Sequence, residues 1–86
     1  MTREKFINRL NSHHAASYRY TGAGLAGLVN VWFYLDTFVL TWEECKDGDQ
    51  ANEGDYTRDE RHEFPNAEAV VDFLDEANID VERFTP

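Results

Sequence analysis

One cysteine and three histidines are the residues of this chain best suited to covalent or metal chemistry. Cys45 beside a histidine would make a nucleophile and base, and the thiol with His13, His14 and His62 would make a zinc site. Their spacing favours neither. Adjacent residues on a helix point about 100° apart, so His13 and His14 do not readily share one ion. Cys45 is flanked by Glu44, Lys46 and Asp47, and nearby negative charge disfavours a thiolate. Carboxylates are plentiful, but acid–base catalysis needs a pair with separated pKa values, and no spacing singles one out. The expectation is a protein without enzymatic activity, cofactor or bound metal.

Two other strings invite chemistry and fail on context. Gly22-Ala-Gly-Leu-Ala-Gly27 has the glycine spacing of a dinucleotide fingerprint, and with Val29 that of a kinase glycine loop. A fingerprint must open a helix, whereas Leu28-Val-Asn-Val-Trp-Phe-Tyr34 is made of strand formers. A kinase needs a far longer chain and further motifs. The glycines therefore predict a flexible connection between two strands, where they supply positive φ or a bulge. Lys46 to Asp55 is acidic and glycine-containing, like a calcium loop. Counted from Asp47, however, positions five, six and twelve are Ala51, Asn52 and Arg58, which cannot supply the required ligands and turn.

The elements that would position any site centre on Val29 to Trp42, rich in valine, threonine and aromatics. A turn at Asp36-Thr37 would make it a hairpin with Leu35 opposite Phe38, Phe33 opposite Leu40, Val31 opposite Trp42 and Val29 opposite Glu44. One face then carries Val29, Val31, Phe33, Leu35, Phe38, Leu40 and Trp42. The other carries Asn30, Trp32, Tyr34, Val39, Thr41 and Glu43. Before the hairpin, Thr2 caps a helix over residues 2–14 with Phe6, Ile7 and Leu10 on its apolar side, and His13 and His14 near its negative end. Ser17 to Thr21 alternates as a short strand. After the hairpin and the 46–55 loop, Tyr56 to Phe64 reads as a charged edge strand. Asn66 caps a last helix with Val70, Phe73, Leu74 and Ala77 inward, Glu68, Asp72, Asp75 and Glu76 outward, and Asn78 at its end. Ile79, Val81 and Phe84 fold back on the domain. The class is α+β: a single two-layer domain over residues 1–86. It has an N-terminal helix, an antiparallel three- or four-stranded sheet built on a central hairpin, and a C-terminal helix, with both helices on one sheet face.

The net charge of −9 is segregated. Residues 1–42 sum to +2 and residues 43–86 to −11, with 15 acids against four basic residues in the second half. Such a surface repels nucleic acid and anionic membrane, so neither is expected as a direct partner. The N-terminal Met-Thr-Arg-Glu-Lys-Phe lacks a leader's apolar core, the longest apolar run is too short to span a bilayer, and one cysteine allows no internal disulfide. The expectation is a cytoplasmic protein.

The predicted role is a small acidic protein-binding module. Trp32 and Tyr34 would be apolar anchors on the face away from the helices, joined by Tyr18 or Tyr20. Asp47, Asp49, Glu53 and Asp55 of the loop, with Asp72, Asp75 and Glu76 of the last helix, would be electrostatic contacts for a partner with a basic surface. A sharper version is an acidic inhibitor or nucleic-acid mimic, of the type phages and plasmids encode, filling a basic protein groove. A third is a homodimer that pairs its aromatic sheet faces.

Overall fold

The computed structural model describes residues 1–48 and 56–86. Helix α1 (Arg3–Asn11) leads into strands β1 (Ala16–Gly22), β2 (Leu25–Tyr34), β3 (Thr37–Lys46) and β4 (Arg58–Phe64), then helix α2 (Ala67–Glu76) and a 3₁₀ turn at Val81–Arg83. The four strands form one antiparallel sheet in chain order, so every connection joins neighbours. The first strand pairs with β2, from Ala16 opposite Val31 to Gly22 opposite Leu25. The charged strand β4 forms the far edge.

Both helices start where a side chain supplies the missing acceptor. Thr2 Oγ1 accepts from the Lys5 amide at 3.1 Å, and Asn66 Oδ1 from the Ala69 amide at 2.8 Å. The first helix is shorter than the sequence predicts: it closes at Asn11, and His13 takes a left-handed φ of 62° beyond it. Imidazole at that position is not a dipole cap but a packing group, stacked 3.8 Å from the Phe33 ring. After α2, Asn78 takes φ 60°, and the Ile79 amide bonds back to the Leu74 carbonyl, as expected for a residue that tolerates that region.

Phe6 and Leu10 of α1 and Val70, Val71 and Leu74 of α2 pack on Val29, Val31, Phe38, Leu40 and Trp42 of the sheet. The tail completes this layer, with Ile79, Val81 and Phe84 buried in the same cluster. It is tied down by reciprocal backbone bonds between Ser17 and Thr85, and by the Met1 amino group donating to the Glu82 carbonyl at 2.8 Å. Full burial of each such aliphatic side chain is worth about 1.5–3 kcal/mol, so the face that the helices cover carries most of the stabilisation.

The central hairpin differs from its expected register by two residues. Tyr34 pairs with Thr37, Phe33 with Phe38, Val31 with Leu40 and Val29 with Trp42. The turn is Leu35-Asp36, not Asp36-Thr37. Both turn residues have positive φ, 50° and 64°, the pattern of a type I′ turn whose twist matches the strands. A shift of two preserves side-chain parity, so the predicted sorting of faces survives for every paired residue. Leu35 is the exception. Instead of joining the apolar face it stands at the tip, 77% exposed.

A β-carbon in the left-handed region costs roughly 1–2 kcal/mol, and the favoured I′ sequence is Asn-Gly. Replacing Leu35-Asp36 with Asn-Gly should therefore raise stability by about 1 kcal/mol, read as a higher urea midpoint with an unchanged slope. An unchanged or lower midpoint would show that Leu35 makes stabilising contacts in the fold.

Candidate functional site

The sheet has one covered face and one that no described helix packs over. By register, Arg19, Leu28, Glu43 and Asp59 form one row across the open face. Ser17, Asn30, Thr41 and Arg61 form the next, followed by Trp32, Val39 and Glu63. Tyr34 and Thr37 end the series at the hairpin tip. Val39 and Cys45 are buried without belonging to the main core, and Trp32 and Leu28 are half-buried. Tyr34 is 56% exposed and, with Leu35, makes up the exposed large hydrophobic side chains among the described residues. The tail does not cover this surface; only Pro86 reaches it, sharing a shallow cleft with Trp32 and Asn30.

The expected anchors Trp32 and Tyr34 thus lie on the open face. Tyr18 and Tyr20 do not join them. Their parity places them on the helix side, where Tyr18 packs on Phe84 and Tyr20 (ring centroids 5.7 and 5.5 Å). The expected acidic contacts are dispersed. Asp72 and Glu76 are exposed on α2, in the opposite layer from Trp32. Asp75 is held by Arg3 through two 3.0 Å bonds that join the two helices. That hydrogen bonding and the guanidinium charge keep its carboxyl below the usual carboxylate range. Asp47 is exposed at the end of β3, while Asp49, Glu53 and Asp55 lie outside the described residues. The sheet separates Trp32 and Tyr34 from the α2 acids, so these residues do not form one contiguous surface.

A second constellation occupies the helix side of the sheet where the helices stop short. Gly27 sits directly between Tyr20 on β1 and Glu44 on β3. With no side chain at Gly27, the Tyr20 ring lies flat across β2. A β-carbon built there would fall 2.0 Å from the ring. Stretched over the gap, the Tyr20 hydroxyl accepts from Trp42 Nε1 at 2.9 Å and donates to Glu44 Oε2 at 2.5 Å. Thr57 Oγ1 donates to the Glu44 carbonyl at 3.0 Å. Arg58 lies 3.7 Å over the Trp42 ring and pairs with Glu60 at 2.9 Å, whose other oxygen is 2.9 Å from His62 Nε2. The glycine string therefore serves the sheet. As expected, the string connects two strands with positive φ, in a tight turn at Ala23-Gly24 (φ 52° and 77°), and Gly27 leaves room for a ring.

This cluster holds its groups rather than activating them. Burial and the Glu44 hydrogen bond push the Tyr20 phenol above its ordinary pKa, the wrong direction for a phenolate base or nucleophile. His62 faces the helix side and Cys45 the open side, so the two cannot meet as nucleophile and base. Among the described residues, no three His, Cys, Asp or Glu side chains are grouped to hold a metal ion. No helix among them is long and apolar enough to cross a membrane.

Sequence reasoning missed Leu35 and the Tyr20–Glu44 clamp. The signal for Leu35 was its place beside Asp36, the only turn-forming residue between the two strands. The clamp's signal was a glycine inside a strand-forming run, which marks a close approach. Comparison with protein-family models, curated proteins and solved structures finds no match to this chain.

Gly27→Ala should cost about 2 kcal/mol, since displacing Tyr20 breaks one neutral and one charge-assisted hydrogen bond. In a Tyr20→Ala background the same substitution should cost little, a double-mutant coupling measurable by urea unfolding. Equal costs in both backgrounds would mean the ring does not depend on the gap. The phenol also sets an alkaline dependence. Its folded pKa lies above the unfolded one, so its contribution is complete below about pH 10 and fades as pH rises through the folded value. Melting temperature should therefore fall more steeply above pH 10 in the wild type than in Tyr20→Phe; parallel curves would remove Tyr20 from that titration.

Proposed function

We propose that this protein is a non-enzymatic protein-binding module whose contact surface is the tip of the β2–β3 hairpin and the adjoining open sheet face. The observation that carries this reading is Leu35. It breaks two local rules at once, placing a branched apolar side chain in water and a β-carbon at positive φ. Violations of local preference without a compensating gain inside the fold are expected at functional sites. Tyr34 beside it is exposed as well, and Trp32 lies one step along the same face. Together they supply the clustered aromatic and aliphatic area that anchors protein interfaces.

A second reading draws on charge. Glu68, Asp72, Glu76, Asp80 and Glu82 are all exposed along α2 and the tail. That ridge suits a basic groove on another protein, as an acidic inhibitor would. It lies on the helix layer, away from Trp32, and so predicts a different dependence on salt.

Leu35→Asn and Trp32→Ala separate the two. Surface plasmon resonance against the bound protein should show each weakening affinity about tenfold or more, with Leu35→Asn retaining full stability. Binding that ignores both substitutions but falls steeply between 50 and 500 mM salt would overturn the hairpin reading in favour of the acidic ridge.

A further inference from the structure

The open face differs in charge from the rest of the molecule. Its side chains in the four strands include Arg19 and Arg61 against Glu43, Asp59 and Glu63. That is a net −1 out of the chain's −9, so the remaining −8 lies elsewhere. Residues 67–86 hold six acids against Arg83, so two copies repel where α2 and the tail face each other. The open sheet is where they can approach.

We infer that the occupant of this face is a second copy of the chain, packed sheet on sheet about a two-fold axis that runs along the strands between β2 and β3. The inference rests on the binding surface proposed above and names the partner it takes. A closed pair needs a self-complementary patch. The register supplies one. Arg19 stands at one edge and Asp59 at the other edge of the same row. Rotation about an axis along the strands lays β1 over β4 of the second copy, so Arg19 meets Asp59 twice in the dimer. The same rotation lays Trp32 over the position of Val39, whose side chain its own chain already buries. Arg61 falls opposite Ser17, where it meets no like charge.

The alternative axis, across the strands, lays β4 over itself, so that Asp59 of one copy falls near Glu63 of the other and the two Arg61 side chains, each paired with Glu63 of its own chain at 3.5 Å, face each other as like charges. Charge thus chooses the orientation. The chosen axis passes through the hairpin tip, because Leu35-Asp36 joins β2 to β3. The two Leu35 side chains then meet across the axis, with Tyr34 beside them. Tyr34 and Leu35, the exposed large hydrophobic residues among those described, are covered by one symmetry operation. From strand spacing and rise, the sheet offers a flat footprint of roughly 550 Å² per copy, of the same order as the ~800 Å² per partner of standard interfaces.

Sedimentation equilibrium of the full chain, from low to high micromolar concentration, tests this. The expected result is a particle of twice the chain mass. Arg19→Asp and Asp59→Arg should each weaken dimerisation about tenfold, and the double variant should return to within a few-fold of wild type. Circular dichroism melts confirm that all variants remain folded. A wild-type monomer at every concentration overturns the inference, and so does a double variant as weak as either single one. Those failures leave the hairpin surface as a site for a different protein, because the Leu35→Asn and Trp32→Ala affinities are measured separately.

Discussion

The pairing of β2 with β3 decides most of this structure. Ten consecutive residue pairs run from Leu25 opposite Lys46 to Tyr34 opposite Thr37. That single register puts Val29, Val31, Leu40 and Trp42 on one face, where α1 and α2 find their apolar partners. It also fixes what is left over. Trp32 and Tyr34 fall on the other face because side chains alternate, and no local choice could move them without moving the core. The covered layer and the open surface are two consequences of one constraint.

Such a long hairpin must also be closed and pinned at both ends. At the tip, a two-residue turn matches the strand twist at the expense of positive φ in Leu35 and Asp36. At the other end, Tyr20 crosses Gly27 and ties β1 to β3 through Trp42 and Glu44. The clamp spans three strands with one side chain. A ring laid over a strand glycine restores the packing that the glycine gives up, and its hydroxyl satisfies an indole N–H at the edge of the core.

Face sorting was legible in the sequence because it depends on alternation, and alternation is insensitive to a slip of two residues. The turn position was not legible for the same reason. Pairings centred on Leu35-Asp36 and on Asp36-Thr37 bury the same residues, apart from Leu35. Turn chemistry had to break the tie, and Leu-Asp is a poor I′ sequence. The caps at Thr2 and Asn66 and the αL residue Asn78 were readable because each side chain acts within four residues of itself. The partners of Tyr20 lie 22 and 24 residues away, so no local pattern encodes them. The acidic contacts were readable as a composition but not as a surface. Asp75 belongs to Arg3, and the rest of the α2 acids sit behind the sheet from Trp32.

That separation carries the functional argument one step further. Were acidity the means of recognition, apolar anchors on the far layer would have no role, and a leucine in a strained, wet turn would be only a cost. Were the apolar tip the means, the acidic layer still has a use. It keeps the helix side of each molecule from joining the contact, since like-charged surfaces repel over about a Debye length. On the proposed reading, one face is fit for association and the other is set against it. The proposed two-fold contact would then favour a closed pair over open-ended assembly, because it covers both of the large hydrophobic side chains that are exposed among the described residues. The edges support the same limit. Strand β4 is charged at nearly every position, and the start of β1 is occupied by Thr85, so continued sheet growth is blocked on one side and hindered on the other.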